Sequence, residues 1–173
     1  MESRQETTVR VLVRWMSLRD LPDVLPIEEA SFEFPWTYDE FKAMLFSRNV
    51  VGMVAEFENE IVGYMLYELH RSQIRLLNFA VAPGWRRRGV GTQMILKLVG
   101  KLSAQRRTRI VLEVRETNLP AQLFFREMGF RATALLRNHY ADTPEDAYRM
   151  VYRYQSRQDV FAPANRIRHR LAG

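Results

Sequence analysis

Two spacings of hydrophobic residues along this chain predict its secondary structure. Alternation over residues 9–15 predicts a first strand, and apolar runs or alternation predict six more. These lie at residues 50–56, 61–69, 73–81, 109–114, 131–137 and 148–154. Helical spacing and start or stop signals predict four helices. The first runs from Asp20 through Glu29, the second begins at a Thr37–Glu40 capping box, and the others cover residues 89–106 and 120–128.

The predicted order of elements is β-α-α-β-β-β-α-β-α-β-β, which indicates an α/β (α+β) fold. We expect a mixed sheet of about seven strands with helices on both faces. The near-continuous apolar run at residues 110–114 indicates a central strand. A chain of 173 residues suits one domain, for which we predict residues 9–154, with tails at residues 1–8 and 155–173.

The amino-acid composition excludes several classes of functional site. The absence of cysteine excludes disulfides, thiolate metal sites and a cysteine nucleophile, and His70, His139 and His169 are too scattered to suggest a metal site. We therefore expect no metal. The longest apolar runs fall short of the roughly 20 residues of a membrane helix, and residues 1–8 lack an apolar signal core. We expect no membrane association and a cytoplasmic location.

The net charge of +6 is carried mostly by arginine and is concentrated toward the end of the chain. The last stretch holds Arg157, Arg166, Arg168 and Arg170 against the single acid Asp159. Two interpretations stay open for this tail. It contacts ribosomal or other nucleic acid weakly, or it is simply a solvated basic segment.

The most informative stretch is the phosphate loop, residues 86–92, which reads Arg-Arg-Arg-Gly-Val-Gly-Thr between a predicted strand and a predicted helix. Unpaired N–H groups and the positive end of the helix dipole would converge there, which suits a phosphate. Gly89 and Gly91 allow a close approach of the backbone, and the arginines add fork-shaped donors. The alternative is a solvated basic turn that happens to contain two glycines.

The spacing within this loop narrows the choice of ligand. A dinucleotide-binding fingerprint would need glycine where Met94 stands, and no Gly-Lys-Ser/Thr sequence is present. Arg86, Gly89 and Gly91 instead form R-x-x-G-x-G. This pattern resembles the acetyl-coenzyme A pyrophosphate loop of the GCN5-related N-acetyltransferase (GNAT) superfamily, and the predicted order of elements is the one seen there.

The resemblance covers about residues 9–154 and is strongest to the bacterial ribosomal-protein alanine N-acetyltransferases. Four stretches carry it: residues 34–37, 78–81, 112–115 with Asn118, and 137–140. It implies a splayed sheet and acetyl-CoA-dependent acetylation of the N-terminal amine of a protein, in that subfamily a small-subunit ribosomal protein. Two other functions stay open: acetylation of a small amine, or a non-catalytic module that binds acyl-CoA or the ribosome.

The resemblance also implies the residues that hold acetyl-CoA. Backbone groups of Phe79, Ala80 and Val81 would pair with the pantetheine arm as one more strand, beside a β-bulge. The pyrophosphate would lie on the phosphate loop, formed by Arg86, Arg87, Arg88, Gly89, Val90, Gly91 and Thr92. Asn118 would contact the cofactor, cap the helix that begins near Pro120, or do both.

Catalysis requires a base for the amine. Glu113 is a lone carboxylate on an otherwise apolar strand, and alternation places it on one face with Val111 and opposite Leu112. We therefore predict that Glu113 acts as the general base through a water. The alternative is an ion pair between Glu113 and Arg109 or Arg115.

The general acid is less well defined. Members of the family place a tyrosine where this chain has Phe125, which cannot donate a proton. Three explanations stay open: the thiolate leaves unprotonated, the hydroxyl of Tyr140 replaces the missing one, or the protein is slow or serves another substrate. Phe125 is otherwise part of a packed helix face with Phe124.

In the family, two loops face each other over the path of the acceptor. Here one would be the aromatic loop between the first two helices, with Phe34, Pro35 and Trp36. The other would be the loop between the last two strands, with His139 and Tyr140. Aromatic walls at this place would hold a peptide N-terminus away from water. Glu33 would bind the incoming ammonium or remain an ordinary surface acid.

Overall fold

The computed structural model describes residues 7–156. Within that range the predicted order of strands and helices is confirmed. The elements are β1 (Leu12–Trp15), α1 (Leu21–Ser31), α2 (Tyr38–Phe46), β2 (Val50–Phe57), β3 (Glu60–Leu69), β4 (Gln73–Val81), α3 (Val90–Val99), β5 (Arg109–Arg115), α4 (Leu119–Glu127), β6 (Arg131–Leu136) and β7 (Ala147–Arg153). The arginines on which the predicted contact of the tail at residues 155–173 rests, Arg157, Arg166, Arg168 and Arg170, lie outside the described residues. So does most of the predicted N-terminal tail, residues 1–8.

The described strands form one mixed sheet in the order β1-β2-β3-β4-β5-β7-β6, in which only β4 and β5 run parallel. Helices cover both faces, as predicted. One face carries α3 and α4, which contribute Met94, Ile95 and Phe125 to the larger apolar core. The other carries α1 and α2, which contribute Leu21 and Phe41 to a smaller core.

The parallel strands β4 and β5 are paired at one end and separate toward the other. β4 and β5 are paired only from Gln73 to Arg75 opposite Arg109 to Val111. Beyond that point β4 continues alongside β3 as far as Val81, while β5 continues alongside β7 as far as Arg115. The splayed sheet is therefore confirmed, and its open end lies between residues 78–81 of β4 and residues 112–115 of β5.

A β-bulge in β4 accompanies this opening, as expected. Leu66 faces Asn78 and Tyr67 faces Leu76, so that Leu77 is the extra residue. One extra residue inverts the alternation of faces. Leu76 therefore packs in the larger core, whereas Leu77 and Ala80 lie against the smaller one, and Phe79 points back toward α3 and α4.

Two predicted boundaries are wrong. The main helix ends at Val99 and not near residue 106, because the chain at Gly100 tightens into turns that carry Leu102 into the core. β1 begins at Leu12 and not at Val9. The backbone before it is bound by α3 instead, since the Gln93 amide donates to Val9 O (2.7 Å) and accepts from the Val11 N–H (3.1 Å).

Asp20, the predicted start of the first helix, occupies the N-cap position but makes no hydrogen bond to the helix with its side chain. It accepts two hydrogen bonds from Arg14 (2.9 and 3.0 Å) and one from the Ser17 N–H (2.8 Å). The hydrogen bonds from Arg14 hold the pKa of this buried carboxyl below its ordinary range. Asp20 therefore fixes β1 to the start of α1.

We expect Asp20→Asn to lower the free energy of unfolding by about 1–3 kcal/mol at neutral pH, because Arg14 loses a charged partner. A lowered pKa stabilises the fold above the ordinary carboxyl pKa, and this contribution is lost as the pH falls through the folded value. The difference from the wild type in urea unfolding should therefore shrink below about pH 4. The exposed Asp23→Asn is the control. An equal difference at acid and neutral pH would contradict this role.

Candidate active site

The phosphate loop packs directly against the open end of the sheet. Gly89 is the N-cap of α3 with φ of +80°, a conformation that favours glycine. A Cβ on Gly91 would lie 3.1 Å from Phe124 Cζ and 3.4 Å from Phe79 Cζ. Gly91 therefore lets the first turn of α3 close onto α4 and β4, and Gly89 forms the turn that begins the helix. We call this pair the glycine cradle, because the unpaired N–H groups at a helix start can bind a phosphate.

The three arginines of this loop differ in their surroundings. Arg86 donates to the Val81 carbonyl (3.0 Å) and to Ser31 Oγ (3.1 Å), which ties the end of β4 to the end of α1. The Arg88 guanidinium stacks on the Trp85 ring at 4.4 Å. Arg87 is exposed and has positive φ. Of the three predicted phosphate contacts, Arg86 and Arg88 thus already have protein partners.

The β4 segment predicted to pair with pantetheine forms one side of the opening. The Phe79 N–H donates to Asn78 Oδ1 at 2.8 Å, and the Val81 carbonyl accepts from Arg86. These two backbone groups are therefore occupied by the protein's own side chains, and Ala80 between them is buried. A ligand strand would have to use the remaining backbone groups of this segment or displace these partners.

Phe125 is buried among aromatic rings. Its ring lies 5.6 Å from that of Phe79, 5.1 Å from Phe124 and 5.3 Å from Phe130. The packed-face interpretation of Phe125 is therefore confirmed. Asn118 Oδ1 accepts from the Ala121 N–H at 3.2 Å, so Asn118 does cap α4, as the sequence suggested.

Glu113 lies on β5 with its side chain only 11% exposed. Leu112 and Val114 face the larger core and Glu113 faces away from it, as alternation predicted. Its ion-pair partners are Arg75 of β4, at 3.3 Å, and Arg149 of β7, at 3.8 Å, and not Arg109 or Arg115 as the alternative interpretation had it. The partners come from the neighbouring strands because side chains on one face of a sheet meet across strands.

The aromatic loop and the loop between β6 and β7 meet at Arg115. The Arg115 guanidinium lies 3.7 Å from the centre of the Tyr140 ring and 5.5 Å from that of Phe34, and it pairs with Asp142 at 2.8 Å. The His139 ring packs edge-on against Tyr140 at 5.1 Å. The structure thus brings the two predicted loops together, on the same face of β5 as Glu113.

Tyr140 is half-buried in this group. Burial raises the pKa of its phenol, the nearby Arg115 lowers it, and the Glu113, Glu145 and Asp142 carboxylates raise it further. The phenol therefore remains protonated at neutral pH. In the aromatic loop, Phe34 is 44% exposed, Pro35 is exposed and Trp36 is partly buried.

The sequence did not reveal a buried polar cluster beneath the aromatic loop, formed by Glu28, Tyr64 and Asn78. Leu21, Val24 and Glu28 are spaced by three and four residues, which would have placed Glu28 on the buried face of α1. For Arg115 the sequence indicated a place in the resembling stretch 112–115 and an alternative ion pair with Glu113, but not its contacts with Tyr140 and Phe34.

Residues 7–156 contain no group of three or more histidine, aspartate or glutamate side chains placed to hold a metal ion. Within the same range, no helix is long and apolar enough to cross a membrane.

Comparison with known proteins agrees with this geometry. The model of the "Acetyltransferase (GNAT) family" matches residues 15–130. The chain belongs to the acetyltransferase (GNAT) family. The Salmonella typhimurium [ribosomal protein bS18]-alanine N-acetyltransferase is 28% identical over 79% of this chain and 93% of its own. A Sulfolobus acidocaldarius N-alpha-acetyltransferase is 30% identical over 80% of this chain and 90% of its own.

Solved structures confirm the GNAT fold. Ard1 from Thermoplasma volcanium superposes with a TM-score of 0.76 and is 28% identical, with 86% of this chain and 100% of that chain covered. The family uses acetyl-CoA. The glycine cradle at the start of α3 and the gap between β4 and β5 fit a ligand with a phosphate group and an extended arm.

Proposed function

We propose that this GNAT protein transfers the acetyl group of acetyl-CoA to the N-terminal α-amine of a protein, and that the acceptor is a ribosomal protein. The observation that carries this proposal is that the aromatic loop and the loop between β6 and β7 meet at Arg115. Arg115 lies on the same face of β5 as Glu113 and at the open end of the sheet. An extended peptide end fits between such walls. The two relatives, whose names state Nα- or alanine N-acetyltransferase activity, support the same acceptor class. A cytoplasmic location follows from a ribosomal substrate.

The proposed reaction requires only modest catalytic help from the protein. A free α-amine has a pKa near 8, so roughly one tenth of it is already neutral at pH 7. Glu113 takes the proton through a water, and the amine nitrogen bonds to the thioester carbonyl carbon as the C–S bond breaks. Acetyl-CoA supplies the activated acetyl group. Arg75 and Arg149 hold the Glu113 carboxylate in place on the sheet.

The cofactor side uses a different set of groups. The N–H groups at the start of α3, over residues 89–92, would hold the pyrophosphate with Arg87, while Arg86 and Arg88 keep the loop in shape. The β4 segment around Ala80 would lie along the pantetheine arm. Asn118, the N-cap of α4, would border the same gap. Phe125 would support the β4 side of the gap by packing against Phe79.

We propose that the thiolate leaves without a dedicated acid, because its parent thiol has a pKa near 8.5 and Phe125 offers no proton. Tyr140→Phe should then keep kcat within about threefold, since the ring retains its contact with Arg115 while the hydroxyl is lost. Steady-state kinetics with a free Ala-start peptide measures this. A fall of tenfold or more in kcat would instead identify the Tyr140 hydroxyl as the acid.

Thiol release from acetyl-CoA, measured with a panel of acceptors, tests the proposed function. The panel contains a peptide beginning Ala-Arg, a Met-start peptide, an Nα-blocked control, a polyamine and a single amino acid. We expect turnover with the free Ala-start peptide and none with the blocked one. Turnover with the small amines alone would reassign the acceptor, and no turnover despite tight coenzyme A binding would indicate a non-catalytic module.

A further inference from the structure

The buried carboxylate of Glu28 binds three hydrogen-bond donors. Its Oε1 accepts from the Trp36 N–H at 2.8 Å, and its Oε2 accepts from Asn78 Nδ2 at 2.9 Å and from the Tyr64 hydroxyl. Glu28 is 1% exposed and Tyr64 fully buried. Burial, and next the Glu28 carboxylate, raise the pKa of the Tyr64 phenol, which therefore stays a donor. A carboxylate at this depth requires such donors, and it fixes their positions in turn.

The hydrogen bonds of Glu28 lead to both proposed substrate sites. Trp36 belongs to the aromatic loop, which borders the acceptor site. Asn78 follows the bulge in β4, and its Oδ1 accepts the Phe79 N–H at 2.8 Å, in the segment assigned to acetyl-CoA. One carboxylate thus connects the acceptor side to the cofactor side through two short chains of hydrogen bonds.

Aromatic packing forms a second connection between the same elements. The Trp36 ring packs edge-on against Phe41 at 5.4 Å, and Phe41 packs edge-on against Tyr64 at 5.7 Å. Trp36 is therefore held through its backbone by Glu28 and through its ring by Phe41. This double attachment leaves little freedom for the middle of the aromatic loop.

Stability alone is a weak reason for this arrangement. Buried charged groups can often be replaced by apolar residues of similar volume without loss of stability. What an apolar residue cannot do is accept hydrogen bonds from two separate segments at once. The bulge is also required, because in a strand of regular alternation Asn78 would share the face of Leu76 and point away from α1.

We propose that Glu28, with Tyr64 and Asn78, is a positioning residue that holds the aromatic loop at a fixed place relative to the cofactor segment of β4. This inference rests on the proposed function for the identity of the two sites. Glu28 does not touch a reacting group. Its role is to align the acceptor amine with the acetyl group through Trp36 and Phe79.

Glu28→Gln tests the proposal because glutamine has only one carbonyl oxygen. If that oxygen accepts from the Trp36 N–H, the new NH₂ group faces the NH₂ group of Asn78. The Asn78 amide must then rotate by half a turn, and its oxygen no longer accepts from the Phe79 N–H. If the glutamine oxygen instead faces Asn78, the Trp36 N–H loses its acceptor. Glu29→Gln, at the next and exposed position of α1, is the matched control.

Two measurements on the full-length protein read out the effect. Amide hydrogen exchange followed residue by residue by NMR should show at least tenfold faster exchange at Trp36 or Phe79 in Glu28→Gln, and no change in Glu29→Gln. The value of kcat/KM for the free Ala-start peptide should fall about tenfold or more, at a temperature where the variant is fully folded. Asn78→Ala, which keeps the bond from Trp36 to Glu28, should speed exchange at Phe79 alone and raise the KM for acetyl-CoA.

Unchanged exchange at Trp36 and Phe79 in folded Glu28→Gln, or kcat/KM within about threefold of wild type, would overturn the proposal. If Glu28→Gln does not fold, Asn78→Ala decides, because unchanged exchange at Phe79 contradicts the same network. Failure of the proposed function is recognised separately. In that case the wild type acetylates no peptide, while the exchange rates still report whether Glu28 holds the two segments.

Discussion

Glu113→Gln is expected to lower kcat for a free α-amine by about 30- to 100-fold near pH 7. Glutamine keeps the shape of the side chain but cannot accept the proton that leaves the amine. The loss should shrink toward pH 9, where an amine with a pKa near 8 is already mostly neutral. This pH dependence distinguishes a base from a residue that only holds the sheet together.

Steady-state kinetics from pH 6.5 to 9, with thermal unfolding of each variant, measures this effect. Glu127→Gln, an exposed acid on α4, is the control and should behave as wild type. Because Glu113 is paired with Arg75 and Arg149, some loss of stability is expected in the variant as well. A kcat within about threefold of wild type at pH 7, or a deficit of equal size at pH 9, would exclude Glu113 as the base.

Gly89→Val should raise the KM for acetyl-CoA by about 10- to 100-fold, which corresponds to roughly 1–3 kcal/mol of strain and lost contacts. The φ of +80° is unfavourable for a β-branched residue, and the Cβ would lie 2.9 Å from Thr8 Cγ2. Relief of this strain would turn the first N–H groups of α3 away from the pyrophosphate. The value of kcat at saturating acetyl-CoA should change much less, because Gly89 is assigned to the phosphate and not to the reacting groups.

Gly84→Val is the matched control for this substitution. Gly84 belongs to the same connection between β4 and α3, and a Cβ there would have no neighbour within 4 Å. Calorimetric titration with coenzyme A should therefore show weaker binding for Gly89→Val and unchanged binding for Gly84→Val. If folded Gly89→Val bound coenzyme A as tightly as wild type, the phosphate would not lie on this loop.

The sequence predicted the phosphate loop well because its conformation is local. Gly89 stands where a positive φ is needed, and Gly91 where α3 touches Phe124, and both positions lie between a strand and a helix that the apolar pattern already indicated. The caps at Thr37 and Asn118 were predicted for the same reason. Signals confined to one turn can be read without the rest of the fold.

Contacts across strands were harder to predict. The alternative interpretation of Glu113 paired it with Arg109 or Arg115 of its own strand, but its partners are Arg75 and Arg149 of the flanking strands. Which strands flank β5 depends on the topology of the whole sheet. The end of α3 was also misplaced, because an amphipathic pattern that continues past Gly100 hides the turn that buries Leu102.

The cluster around Glu28 was missed for a third reason. An acid on a helix is normally expected at the surface, and nothing near Glu28 in sequence reveals its three donors, which come from Trp36, Tyr64 and Asn78. Asn78 reaches Glu28 only because the bulge at Leu77 changes its face. A buried polar network is a property of the assembled fold.

The position of the acetyl group on the product shows whether this protein is an Nα-acetyltransferase. A peptide that begins with Ala-Arg and contains an internal lysine is incubated with the protein and acetyl-CoA, and the product is sequenced by tandem mass spectrometry. We expect a single acetyl group, on the α-amine, and a much higher rate of acetylation with wild type than with Glu113→Gln. Acetylation on the lysine alone, or an unmodified peptide despite bound coenzyme A, would contradict the proposed function.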